Sequence, residues 1–342
     1  MERLLVTGGA GFIGANFVRL LAKEADYDLV VLDKLTYAGN LANIQELVDG
    51  GEVTFHQGDI TDARAVREAM KGCDGVVHFA AETHVDRSIV EAGTFVTTDV
   101  FGTFVLLEAA RRQGVERFVH ISTDEVYGEA EGEDSTEEAS LRPKSPYAAS
   151  KAGADRLAYA YHATYGLPVV ITRCVNNYGP WQHPEKAVPL FTLAALLNEP
   201  LPVYGTGENR REWIHVEDHC RALRTILEHP SLEGQVYNIG TGERKSTLQV
   251  AEAVLEALDK PKDLISLVDD RPGHVLSHAV DSARVRIDTG WTHSHTFEAS
   301  LAGVVRWYAD HILWWRSTLL GSARNYFEAR HPRLIAAAEE LE

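Results

Sequence analysis

Apolar and polar positions along the first 175 residues follow one rhythm. Short runs with little polar interruption ("RLLVT", "DLVVLD", "VTFHQGD", "GVVHFA", "RFVHIST" and "PVVITRC") alternate with helix-period segments such as "NFVRLLAKE", "ARAVREAM" and "GTFVLLEAARRQG". A run without a polar face predicts a strand covered on both sides. Strands each followed by a helix predict an α/β fold, a Rossmann-like doubly wound parallel sheet.

Beyond Asn176 the rhythm loosens. Prolines and glycines break the chain into short pieces, as in "YGPWQHPEKAVP" and "NEPLPVYGTGENRREW", with helical patterns near 187–198, 216–228, 246–258 and 296–316. The expected organisation is a dinucleotide-type domain over 1–175, with later segments able to return to it. A smaller mixed α/β substrate lobe follows over 176–320, and a helical tail over 321–342. No clean linker separates the first two, so they are expected to share a cleft.

Composition narrows the ligand class. The chain has 342 residues, 45% of them hydrophobic, and a net charge of −17 from 33 basic and 50 acidic residues. That balance argues against nucleic acid or an anionic membrane as partner. An anionic ligand would need locally concentrated cations. No apolar run approaches the roughly 18 residues of a membrane span. The N-terminus enters a strand at once, so a cytoplasmic protein without a signal sequence is expected. Cys73, Cys174 and Cys220 are far apart and odd in number, which predicts free thiols.

Two motifs carry chemistry. "TGGAGFIG" follows the first strand and opens a helix, with Gly8, Gly11 and Gly14 at three-residue spacing. Glycines allow the tight turn and close backbone approach to a pyrophosphate, and the helix N-terminus faces the phosphates. Asp33, at the end of the second strand, can accept from both ribose hydroxyls and repels a 2′-phosphate, so NAD is the expected cofactor. Lys34 weakens that repulsion slightly. Asp59 and Ile60 in "GDI" lie at the same sheet edge, where Asp59 serves either the adenine or a turn. "SPYAASK" then puts Tyr147 and Lys151 four residues apart, on one helix face. An ammonium beside a phenol lowers the phenol's pKa and makes a general base.

Together these motifs resemble the extended short-chain dehydrogenase/reductase superfamily. "STDEVYG", "LTYAGN", "HFAAETHVDRSI", "VNNYGPWQHPEK", "REWIHVEDH" and "DDRPGH" narrow the resemblance, over about residues 2–310, to the dTDP-glucose 4,6-dehydratase family. It implies tightly bound NAD, regenerated in each cycle. It implies a catalytic set of Thr123, Asp124, Glu125, Tyr147 and Lys151. Tyr147 would take the sugar 4-hydroxyl proton with Thr123 bound to that hydroxyl. Glu125 would remove the C5 proton, and Asp124 would protonate the departing C6 hydroxyl. Further cofactor contacts are implied at Phe12, Ile13, Thr36, Gly39, Ala80, Ala81, Thr98 and Cys174. Substrate contacts are implied at Thr83, His84, Asn176, Glu185, Lys186, Pro202, Tyr204, Arg211, Asn238, Arg271 and His274. The implied partners are dTDP-glucose or a related nucleotide sugar, and a second copy of the chain joined through helices at 94–113 and 145–166.

Departures from the family pattern leave the nucleotide and hexose open. "VLSHAVD" follows "DRPGH", Ser246 stands where Asn is usual, and Thr98–Asp99 replaces Thr–Asn. A nucleotide-sugar 4-epimerase would need Tyr147 and NAD but neither acid. A non-catalytic NAD-binding scaffold would not require the Tyr147–Lys151 pair. "HVEDH" places His215 and His219 at i, i+4, but Glu217 has the wrong offset for a zinc motif, so helix-start packing is expected and no metal.

Overall fold

In the computed structural model, described over residues 1–130, 132–270 and 274–341, the six expected strands all form. They are β1 (Arg3–Thr7), β2 (Asp28–Asp33), β3 (Val53–Gln57), β4 (Gly75–His78), β5 (Arg117–Thr123) and β6 (Val169–Cys174). The later strands are β7 (Asn176–Tyr178), β8 (Leu201–Tyr204), β9 (Arg210–His215), β10 (Val236–Ile239), β11 (Arg244–Ser246) and β12 (Ile265–Val268). A seven-stranded sheet in the order β10-β6-β5-β4-β1-β2-β3 is parallel at every pairing. Burial of nearly every residue in β1, β2, β4, β5 and β6 matches their unbroken apolar patterns.

One strand of that sheet comes from beyond residue 176. β10 aligns Val236 with Ile171 and Ile239 with Cys174. The helix Val216–Glu228 also returns, packing its Ile226 and Leu227 into the same core as Leu21 of the first helix, Phe12–Glu24. The second core lies under β8 and the helices Ala187–Leu196, Thr247–Ala257 and Phe297–Asp310.

The tail folds as two helices rather than one, Arg324–Arg330 and Pro332–Glu340, and the helix Ile312–Leu320 leads into it. Trp315, Leu319, Phe327, Leu334 and Ile335 join the second core. Trp314 donates its indole N–H to Asn43 Oδ1 at 2.8 Å, tying the helix Ile312–Leu320 to the first domain.

The helical stretch Ala92–Gln113, which contains a π-helical segment over Val96–Gly102, is long and apolar enough to cross a membrane. Its Phe95, Asp99, Val105, Leu106 and Leu107 are buried, and it packs against the helix Pro146–Tyr165.

Candidate active site

The glycine turn is built as its spacing demands. Gly8 has φ +71°, and a Cβ there would meet Ala80 N at 2.6 Å. At Gly14 a Cβ would meet Gly8 O at 2.2 Å, so the helix start closes directly onto the turn. Gly11 is the helix N-cap and lacks a capping side chain, which leaves the first N–H groups to a ligand. Asp33 caps the neighbouring loops by accepting Ala10 N–H at 3.0 Å and Leu35 N–H at 2.8 Å. Both carboxylate oxygens keep lone pairs for ribose hydroxyls. Lys34 is drawn aside into a 2.7 Å pair with Asp59. These residues fit a dinucleotide.

A cavity of about 910 Å³ runs from this turn to the second lobe. The expected cofactor residues all line it: Gly8, Gly11, Phe12, Ile13, Gly14, Asp33, Lys34, Thr36, Gly39, Asp59, Ile60, Ala80, Ala81, Thr98, Tyr147, Lys151 and Cys174. So do Thr83, His84, Thr123, Asn176, Glu185, Lys186, Pro202, Tyr204, Arg211 and His274 from the expected substrate set.

Between these two groups lie the chemical residues. β5 stops at Thr123, and Asp124–Tyr127 form a single 3₁₀ turn. Thr123 Oγ1 starts that turn by accepting Glu125 N–H at 3.2 Å and donates to Asp124 Oδ1 at 3.2 Å. The turn is braced from behind. Arg173 holds Asp155 through 2.8 and 3.0 Å bonds and donates to Tyr127 Oη at 2.7 Å, and Tyr127 donates to Asn238 Oδ1 at 2.8 Å. Glu125 faces the cavity. Asp124 is 2% exposed and sits behind the cavity wall, with Oδ2 lacking a hydrogen-bond partner. Burial, then the nearby Glu125 and Glu212 carboxylates, push Asp124 up to about 8. It is therefore a protonated acid at neutral pH.

Tyr147 departs from expectation in one respect. Burial and the Glu125, Asp99 and Asp124 carboxylates raise its pKa well above the usual phenol value, rather than Lys151 lowering it. Lys151 Nζ is fixed by donation to Ile121 O at 2.7 Å. Burial and three acidic side chains around one cleft thus outweigh the pair read from the sequence.

The far end of the cavity holds the cations that an anionic ligand requires. Lys186 Nζ donates to Thr83 Oγ1 at 3.1 Å, and Arg211 donates to Val275 O at 3.0 Å. Burial would raise Glu185, but His84, His183, Lys186 and Arg87 hold it down at about 2. His84, with φ +88°, takes a backbone conformation rare for a side-chain-bearing residue at the start of the helix Val85–Val90.

One expected substrate residue falls elsewhere. Asn238 is fully buried, and its amide is used up by donation to Ser135 O and Asp281 O and acceptance from Tyr127. It braces the catalytic turn instead of lining the cavity. Arg271 lies outside the described residues.

The tail contributes what the motifs did not announce. Tyr326, Arg330 and His331 line the cavity. Arg330 and Tyr204 both donate to Asp86 Oδ2 at 3.1 Å, and Arg87 stacks between the rings of Tyr37 and Tyr326. The i, i+4 spacing of Tyr326 and Arg330 was the available signal. His215 Nδ1 accepts Glu217 N–H at 3.3 Å and caps its helix, which leaves the ring proton on Nε2 and accounts for that part of "HVEDH". His219 donates to Asn177 Oδ1 at 2.9 Å.

Comparison with known proteins agrees with this geometry. The family described as GDP-mannose 4,6 dehydratase matches residues 5–303. A dTDP-glucose 4,6-dehydratase of Streptomyces niveus is 48% identical, covering 92% of this chain and 94% of that protein. The crystal structure of DesIV, the dTDP-glucose 4,6-dehydratase of Streptomyces venezuelae with NAD bound, superposes with a TM-score of 0.89. It is 46% identical over 93% of this chain and 100% of that one. A Thermus thermophilus UDP-glucose 4-epimerase in complex with NAD shares the fold at a TM-score of 0.83, with 34% identity over 91% of this chain and 100% of that one. By sequence and by fold, the chain belongs to the dTDP-glucose 4,6-dehydratase family, within the extended short-chain dehydrogenase/reductases.

Proposed function

We infer that the chain converts dTDP-glucose to dTDP-4-keto-6-deoxyglucose with NAD as a regenerated cofactor, a step of deoxysugar biosynthesis. The observation that carries this reading is the pair Asp124–Glu125, set by one 3₁₀ turn beside Tyr147 and Lys151. An epimerase has no use for those acids.

When bound, NAD⁺ supplies the hydride acceptor for C4 and the hydride that returns to C6. The protein's part is proton handling. Tyr147 takes the 4-hydroxyl proton, with Thr123 orienting that oxygen and the Lys151 ammonium supporting the phenolate. The C4 ketone acidifies C5–H, and Glu125 removes that proton. Asp124 supplies the proton for the C6 hydroxyl through the Thr123 hydroxyl that bonds its carboxyl at 3.2 Å, and the C6 hydroxyl leaves as water. Lys186, Arg211 and Arg330 face the diphosphate, and the Tyr204 ring faces the base. Incubation with dTDP-glucose tests the reading. A product with alkali-induced absorbance and the mass of substrate less one water supports it. An unchanged or merely epimerised sugar refutes it.

The acid role sets a pH dependence. Asp124 is protonated below about 8 and ionised above it. The dehydration rate is therefore expected to fall as pH rises through that value, and Asp124→Asn should lower the rate and flatten this limb. A wild-type profile level to pH 9.5 or so, well beyond the value at which Asp124 ionises, would contradict it.

A homodimer completes the proposal. Val96, Phe101 and Phe104 on one helical stretch and Tyr159 and Tyr165 on the next are exposed. A second copy of this face would bury them in a four-helix bundle. Phe101→Glu with Phe104→Glu should convert dimer to monomer in sedimentation analysis. An unchanged mass would reject this interface. A cytosolic setting accords with three buried free thiols.

A further inference from the structure

Asp99 is a buried acid that the proton relay does not use. It is 1% exposed and lies in the π-helical segment Val96–Gly102, against the helix that carries Tyr147 and Lys151. Ser150 donates its hydroxyl to Asp99 Oδ2 at 2.5 Å, and Glu82 N–H donates to Oδ1 at 2.8 Å. An asparagine of the same shape would satisfy both partners, its Oδ1 accepting from Glu82 and its amide donating to Ser150. The negative charge is thus unnecessary for packing or hydrogen bonding, and burying it is costly.

The charge has a counterpart. Lys151 follows Ser150 and is itself buried, and its ammonium donates to a neutral carbonyl, Ile121 O, at 2.7 Å. Burial lowers the Lys151 pKa, and Asp99 and then Asp155 oppose that fall. His78 and His120 are also buried and feel the Lys151 charge, and desolvation chiefly holds both rings neutral. Asp99 is also faced by Tyr147 and by Glu82, which lies within reach of Lys34 and Arg87.

We propose that Asp99 is a positioning residue for catalysis: its carboxylate keeps Lys151 protonated in a dry site, and so sets the pH range over which the Tyr147–Lys151 pair works. This rests on the dehydratase reading for its consequence in catalysis, though not for its consequence in stability. Burial raises Asp99 to about 6, with Lys151 and Ser150 only partly offsetting it. The sign follows. The folded value lies above the unfolded one, so the ionised form is disfavoured by folding. That penalty is absent below about pH 4, grows up to about 6, and stays constant above.

The test compares Asp99→Asn with the parent in two ways. In a Glu125→Gln background, which stops the reaction after oxidation, NADH formation is followed against pH. The bell-shaped profile should move to lower pH by about one unit, as expected for loss of one nearby charge. Superimposable profiles, or a uniform loss of rate without a shift, would overturn the proposal. Thermal unfolding of the parent and of Asp99→Asn alone is then measured from pH 4 to 8. Asp99→Asn should gain stability relative to the parent between pH 4 and 6 and keep that gain at pH 7. A variant less stable than the parent at pH 7 would mean a structural role and overturn the proposal. The unfolding comparison needs no substrate. Failure of NADH to form at any pH would indict the dehydratase chemistry, while unfolding still decides Asp99.

Discussion

Glu125→Gln is expected to oxidise dTDP-glucose at C4 yet fail to dehydrate it, with product formation down by about 10²–10⁴-fold. Glutamine keeps the side chain's length and its backbone bond to Thr123, so the turn is preserved. What is lost is the C5 base. The substrate should then stall as the 4-ketose, and absorbance of reduced cofactor should build up near 340 nm in a single turnover. Unimpaired dehydration would remove Glu125 from the mechanism. Loss of both oxidation and dehydration would assign it to C4 chemistry or to binding.

Tyr147→Phe should impair more steps, because oxidation precedes every later one. Removing the phenol oxygen leaves the 4-hydroxyl without a proton acceptor. Both NADH formation and product are expected to fall together by about 10²–10⁴-fold. The ring's edge contact with Phe95 is retained, so NAD binding and thermal stability should remain close to the parent's. Burial, then Glu125, Asp99 and Asp124, raise the Tyr147 pKa well above the usual phenol value, which makes its ionisation sensitive to nearby positive charge. Oxidation that survives in Tyr147→Phe would place the base elsewhere.

The sequence revealed local structure better than long-range arrangement. The strands through β6 were legible because each is an unbroken apolar run, and the glycine turn because its spacing is a backbone requirement. The turn at Thr123 was also legible: adjacent acids cannot share one face of a continuing strand, and β5 does end there. β10 was not, since "VYNI" pairs with β6 across some 65 residues and nothing local records that partner. Asn238 was assigned to substrate by motif, yet its hydrogen bonds are spent on the catalytic turn. The tail read as one helix, whereas it forms two short ones, the first of which brings Tyr326 and Arg330 to the cavity. The direction of the Tyr147 shift depends on burial and on three acids from two separate segments, which spacing alone does not bring together.

The central claim is that one hydride leaves C4 and returns to C6 of the same sugar while two carboxyl groups remove water between those events. It is tested most directly with dTDP-glucose carrying deuterium at C4. The account predicts a 4-keto-6-deoxy product with that deuterium in its C6 methyl group and no net NADH. Deuterium retained at C4, or a methyl group without it, would contradict the account.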